Sequence, residues 1–279
     1  MQVIGLCRFS YVGLGGYKIM HDSLEERRAF LYAPGRLEER FRLFETICLP
    51  SVIGQTDQGF QLHVVVGECF PEAYLERLLA LTEDLPNVAI SVQPPERHRR
   101  QMIRVLNTAR ENPNAPCLQF RLDDDDAMAV NFIERLKQAA RDLAPVWQSY
   151  PLTTIDFNRG YIYSAGPEGL SIAPDREAYA ALSLGVVVPD GSDRTIMHQG
   201  HHILWKETPT LTFPDGDMYM RGYNGFNDSR SKGRGKKVRP FPVTPEEAEH
   251  LKRTFNVDNA AVARAFSAPG LLPLPVKGE

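Results

Sequence analysis

Through the first 143 residues, short apolar runs alternate with amphipathic stretches, and that order leaves few folds open. Gln2–Phe9, the β-branched Gln61–Val66 (QLHVVV), Val88–Val92 and Cys117–Leu122 read as strands. Between and after them, Arg36–Ile53, Pro71–Leu81, His98–Arg110 and Asn131–Leu143 read as helices. In the first of these, Leu37, Phe41, Phe44, Ile47 and Cys48 share one face with charges opposite, so a solvated outer face is expected. A β-α-β-α-β-α-β-α order calls for an α/β fold with a mostly parallel sheet flanked by helices. Ligands of such sheets bind beyond the carboxyl ends of the strands.

After Pro145 the pattern changes. Thr153–Asp156 and Gly160–Tyr163 read as short strands, joined as a hairpin around Asn158–Arg159, and Arg176–Leu184 as a helix. Gly185–Pro189 is a short apolar run. Thr210–Arg239, rich in Gly, Asn, Asp, Arg and Lys, reads as a mobile loop region. Pro245–Phe255 and Asn259–Phe266 read as closing helices, with a frayed Pro-rich end.

The formal charge of −3 over 279 residues gives no support for a general nucleic-acid or membrane-surface binder. Cys7, Cys48, Cys69 and Cys117 lie in apolar contexts without a C-x-x-C pair, as expected of reduced, buried thiols. The start reads as a strand rather than a signal peptide, and no run approaches the ~20 apolar residues of a membrane span. The expectation is a cytoplasmic protein without stable membrane insertion.

Against this background the stretch FRLDDDDAM, Phe120–Met128, stands out. Four adjacent carboxylates repel one another unless solvent or a cation offsets the repulsion. They form either a solvated turn that caps the following helix or a metal site, and their place behind a buried strand favours the metal. Oxygen ligands of this kind suit Mg²⁺ or Mn²⁺. Asp123 and Asp125, as alternate residues, would face one pocket, with Asp124 and Asp126 turned elsewhere or reaching in from the loop.

Other motifs are weaker. YVGLGGYK, Tyr11–Lys18, has Gly13 and Gly15 but Lys18 where a dinucleotide fingerprint needs its third glycine, so a conventional Rossmann cofactor site is not expected. MHQGHHILW supplies His198, His201 and His202, without the Cys or Glu that would complete a zinc set. His202 is kept as a candidate metal ligand beside the aspartates. The basic, Gly-rich segment Asp215–Arg239 suits a surface loop or a lid over a diphosphate.

Two blocks together resemble a known family. RLFETICLPSVIGQTDQGFQLHVVVG is similar to the opening of nucleotide-sugar glycosyltransferases: a helix, PSV-x-x-Q, then a strand. RVLNTARENPNAPCLQFRLDDDDAM resembles their next block, an N-x-A helix leading to a strand that ends in D-x-D. The match is to the bacterial rhamnosyltransferase family, with a GT-A-type fold. It runs from Arg36 to Met128, with weaker likeness through Ser229.

The resemblance implies transfer of a sugar, rhamnose by the family's name, from a nucleotide diphosphate donor to a glycan or lipid-linked acceptor, with Mn²⁺ or Mg²⁺ bridging the diphosphate. Asp123 and Asp125 match the D-x-D, with Asp124 and Asp126 as rivals in register. Asp123 and Asp124 are thus assigned to the donor, and Asp125 and Asp126 to the metal. Arg8, Ser10, Arg104 and Asn107 match positions beside the nucleotide. Residues 1–240 would form the transferase domain, with 1–128 as its nucleotide-sugar half, 129–240 as the acceptor half and lid, and 241–279 as a helical extension. A lipid-linked acceptor would bring such an enzyme only transiently to the inner membrane surface.

A downstream E-D pair that would mark the catalytic base is missing. Asp190, Asp193, Asp215 and Asp217 are the candidates, with Asp215 and Asp217 favoured because they precede the proposed lid. A nucleotidyltransferase and a non-catalytic cation- or glycan-binding module are the alternatives.

Overall fold

The alternation of strands and helices folds as its order requires. In the computed structural model, residues 1–15, 21–223 and 239–268 are described. The strands are β1 (Gln2–Arg8), β2 (Gln61–Gly67), β3 (Val88–Gln93), β4 (Cys117–Asp123), β5 (Ala127–Met128), β6 (Thr153–Phe157), β7 (Arg159–Gly166), β8 (Gly169–Arg176), β9 (Leu184–Val188), β10 (Thr210–Phe213), β11 (Tyr219–Gly222) and β12 (Phe241–Pro242). A seven-stranded sheet has the order β10-β6-β9-β4-β1-β2-β3. Only β9 runs against its neighbours; the other six share one direction. The mostly parallel sheet expected from the sequence is therefore the one found.

Close packing at the sheet centre depends on Gly5 in β1. A Cβ there would lie 2.4 Å from the Phe120 ring and 2.7 Å from Leu62, so the missing side chain is what lets Phe120 cross the neighbouring strand. Phe120 continues edge-to-face to Phe60 and Phe132.

The helices are α1 (Leu24–Leu31), α2 (Pro34–Leu43), α3 (Leu49–Ile53), α4 (Glu72–Thr82), α5 (His98–Thr108), α6 (Phe132–Asp142), α7 (Ala144–Trp147), α8 (Pro245–Phe255) and α9 (Asn259–Ser267). A π-helical turn, Phe44–Cys48, joins α2 to α3, so the expected Arg36–Ile53 helix is one continuous run with an extra residue in its middle. Its predicted solvated face is only partly present: Glu38 and Glu45 are half-buried against Arg77, and Arg36, Glu39, Arg40 and Arg42 are all buried. Helix α9 packs on α2 and on the π turn, and Arg36 and Arg40 reach inward instead of outward.

The second sheet, β12-β8-β7-β11-β5, corrects several expectations. Thr153–Phe157 and Arg159–Gly166 are not a hairpin, because Asn158 is where the chain leaves one sheet for the other. The true hairpin is β7–β8, turning through Gly166 and Gly169, the latter at φ +92. Pairing along that hairpin holds residues up to Arg176 extended, so the helix expected from Arg176 to Leu184 is replaced by a single 3-10 turn, Ala181–Ser183. The region read as a loop from Thr210 contains β10 and β11, with Met218, Tyr219 and Met220 fully buried. Residues 224–238, most of the proposed lid, lie outside the described residues, as do Lys18 and the Pro-rich end from 269.

Helix α8 carries a capping box between Thr244 and Glu247, and its Leu251 and Phe255 join the same core cluster as Phe9, Phe41 and Phe120. Among the described residues no helix is long and apolar enough to cross a membrane.

Gly5→Ala is expected to destabilise the protein by about 1–3 kcal/mol through overpacking. In urea titrations this appears as a lower midpoint at unchanged slope; a midpoint equal to that of the wild type would mean that the Phe120 ring can move aside without cost.

Candidate active site

Strand register builds the first part of the site. In the β1/β4 ladder Arg8 is the direct partner of Asp123, both at carboxyl ends, and Arg8 Nη2 donates to Asp123 Oδ1 at 2.8 Å. The chain leaves the first sheet at Asp123 and joins the second at Ala127, so the aspartates are the link between the two sheets. The turn closes when Asp126 N–H donates to the Asp123 carbonyl at 3.0 Å. The Tyr163 hydroxyl donates to the carbonyl of Asp125.

These carboxylates are not solvated: Asp124 is 2% exposed, Asp125 and Asp126 6%. Arg40, on α2, offsets their charge. Its Nε donates to Asp124 Oδ2 at 2.9 Å, its Nη2 to Asp124 Oδ1, and its Nη1 to Asp125 Oδ2 at 2.9 Å. This two-pronged geometry is what a planar guanidinium offers and an ammonium does not. Asp126 accepts from Gly222 N–H at 2.9 Å, which ties the turn to the end of β11.

Individual protonation states diverge within the run. Burial would raise the Asp123 carboxyl, but the charges of Arg8 and Arg121 outweigh it and hold the group well below the carboxylate range. Asp126 is pushed well up, by burial first and then by the charges of Asp125 and Asp123. Arg121, in β4 behind the site, is lowered to about 10 by burial and by Arg8. His98, at the start of α5, is lowered to about 3 by burial and by Arg8, so it is a neutral ring beside Arg8 Nη1 at 3.1 Å.

Above the turn opens a cavity of about 820 Å³ at the carboxyl ends of β1 and β4. Among the described residues, eight arginines line it against the four aspartates, including Arg8, Arg36, Arg40, Arg97, Arg121 and Arg221. Such a surplus of guanidinium groups with oriented donors suits a multiply charged anion.

Of the residues expected at the site, Arg8, Ser10, Asp123, Asp124, Asp125, Asp126 and His202 all line this cavity. Ser10, at φ +49, accepts from Arg36 Nη1 at 2.9 Å. Arg104 and Asn107 do not line it: Arg104 Nη1 donates to Gln101, and Asn107 Nδ2 donates to the Asp193 carbonyl. Asp215 and Asp217 are also elsewhere. Asp215 is exposed and pairs with Arg135 at 2.9 Å; Asp217 is half-buried and held by Arg159 at 2.7 Å, His250 at 2.9 Å and Tyr161 at 3.0 Å, bracing α8 to the second sheet. His198 Nδ1 accepts from Thr195 N–H at 2.9 Å and has a local structural task. Among the described residues no three His, Cys, Asp or Glu side chains converge as a metal site, so His202 does not complete a set with Asp125 and Asp126.

The family model described as "Putative rhamnosyl transferase" matches residues 2–236. The chain belongs to that family. It is accordingly a member of a glycosyltransferase family. No curated protein matches the chain. Among solved structures, Staphylococcus aureus TarS 1-349 in complex with UDP-GlcNAc is 12% identical, with a TM-score of 0.44 over 82% of this chain and 60% of that one. HddC from Yersinia pseudotuberculosis is 10% identical, with a TM-score of 0.34 over 80% of this chain and 90% of that one. The chain thus spans about 60% of the TarS 1-349 chain.

The arginines other than Arg8, and His98, were not expected at the site. Arg36 and Arg40 stand four residues apart on α2, a spacing that puts both on one helical face, but sequence alone does not say that this face is covered. Arg121 had a signal: a charge inside an apolar strand two residues before the aspartates.

Arg40→Met leaves two buried carboxylates without their partner and is expected to cost about 3–5 kcal/mol in urea unfolding. Arg40→Lys keeps the charge but not the fork and should lose less. Wild-type stability in Arg40→Met would show that the aspartate turn does not depend on this ion pair.

Proposed function

We propose that the protein transfers a sugar from a nucleoside diphosphate donor to an acceptor hydroxyl, with the donor diphosphate lying over the aspartate turn. The observation that carries this reading is the cavity: eight arginines around four aspartates at the carboxyl ends of parallel strands. The membership of the family supports it, and the family's name supports rhamnose as the sugar. In this reading the acceptor is a glycan or a lipid-linked saccharide. Four free cysteines suit a reducing cytoplasmic setting.

The site residues also fit Mn²⁺ or Mg²⁺. Asp125 Oδ1 and Asp126 Oδ2 carry no hydrogen bond among the described residues, while the other oxygen of each is held by Arg40 and by Gly222 N–H. Two carboxylates completed by substrate phosphates is a common way of holding these cations. When bound there, the ion would neutralise charge on the leaving diphosphate. The chain's own part is to hold and offset charge. Arg40 fixes the turn so that the two free oxygens stay in place, and the arginines of the cavity wall stabilise the negative charge that grows on the diphosphate as the glycosidic bond breaks.

Calorimetric titration with UDP, GDP and dTDP, with Mn²⁺ or with chelator, tests this reading. Binding that needs Mn²⁺ and falls at least about tenfold in Asp125→Ala is expected, the equivalent of about 1.4 kcal/mol. Absence of binding by the wild type under both conditions would overturn the donor site; equal binding with chelator would overturn the metal alone.

A further inference from the structure

We propose that His201 is the proton acceptor of the transfer, held in its active tautomer by the backbone carbonyl of Tyr179. This rests on the donor-site reading and adds the group which that reading lacks, since Asp215 and Asp217 stand outside the cavity. Of the cavity carboxylates, Asp123 pairs with Arg8 and Asp124 binds Arg40 through both oxygens, while the second oxygens of Asp125 and Asp126 are assigned to the cation in the donor-site reading. His98 also has its acceptor nitrogen occupied, by Arg8 Nη1 at 3.1 Å.

His201 differs from all of these. It lines the cavity, and its Nδ1 lies 2.6 Å from the Tyr179 carbonyl oxygen. A carbonyl only accepts, so Nδ1 carries the proton and Nε2 of the neutral ring holds a lone pair. Nε2 has no hydrogen-bond partner among the described residues and is not among the buried unpartnered atoms, so it meets open space.

The orienting carbonyl is itself fixed. Tyr179 has φ +62, a left-handed conformation that costs a non-glycine residue energy unless its surroundings enforce it. Its N–H donates to Asp156 Oδ1 at 3.0 Å, and the other oxygen of that fully buried carboxylate accepts from Thr212 Oγ1 at 2.9 Å. A base oriented by a third group anchored in the sheet is the arrangement that proton-transfer sites share.

Burial, with Arg121, lowers the imidazolium to about 4, so the ring is as weak a base as a carboxylate and is neutral and ready at physiological pH. It accepts the proton only as attack proceeds. In a single displacement the acceptor oxygen bonds to the anomeric carbon, and the bond to the diphosphate oxygen breaks with its electron pair leaving on that oxygen. The hydroxyl proton passes to Nε2 and from there to solvent.

The test combines UDP, GDP and dTDP binding with nucleoside diphosphate release from the corresponding nucleotide sugars, to water and to added methyl glycosides. His201→Ala is expected to bind nucleotide like the wild type while release falls by about 10²–10⁴-fold, and added imidazole should restore part of it. His201→Gln serves as a second variant if His201→Ala fails to fold. ¹⁵N NMR of the wild type should show an Nδ1–H ring. Release at the wild-type rate in both variants, absence of rescue, or an Nε2–H ring would overturn the proposal. Failure of the wild type to bind any nucleotide would instead overturn the donor site, and this proposal with it.

Discussion

The fork of Arg40 across Asp124 and Asp125 is the interaction on which the rest of the site depends. Burying adjacent carboxylates is costly unless each finds a counter-charge, and one guanidinium reaching from α2 serves two of them. Because the turn is also the link between the two sheets, the same ion pair fixes how β4 hands over to β5. Arg8 completes the neutralisation at Asp123, and there the parallel register alone brings the two residues together. A slip of β4 by one residue would turn Asp123 to the face of the sheet opposite Arg8.

Neutralising the turn in this way leaves selected atoms free. Asp124 is spent on structure, with both oxygens bound, whereas Asp125 and Asp126 each keep one oxygen that carries no hydrogen bond among the described residues. The raised Asp126 carboxyl marks where a further positive charge would be most welcome. Across the cavity the histidines experience the opposite pressure: burial and neighbouring arginines keep His98 and His201 neutral. One cavity therefore holds a lowered carboxyl at Asp123, a raised one at Asp126 and uncharged rings at His98 and His201, each set by its local surroundings.

Much of the first sheet was legible in the sequence, because runs such as QLHVVV and CLQF are too short for buried helices and alternate with longer amphipathic stretches. The aspartates stand out in the sequence because they directly follow an apolar run, and Asp123 ends β4. The second half was harder to read. Residues 153–176 pair across two sheets, and nothing in a local window distinguishes a hairpin from a chain that changes sheet at Asn158. The arginines of α2 read as a solvated face because helical periodicity reports which residues share a face, not what covers it. His201 was visible as one of three histidines, but its orientation comes from a strained carbonyl 22 residues earlier in the chain.

If the arginine- and aspartate-lined cavity is a diphosphate site, a crystal structure of the protein grown with UDP and Mn²⁺ will show it through the anomalous signal of manganese. The expected result is a peak between Asp125 and Asp126, with the diphosphate against it and against the arginines of the cavity wall. Nucleotide density at any other place, or manganese bound away from the aspartate turn, would contradict it.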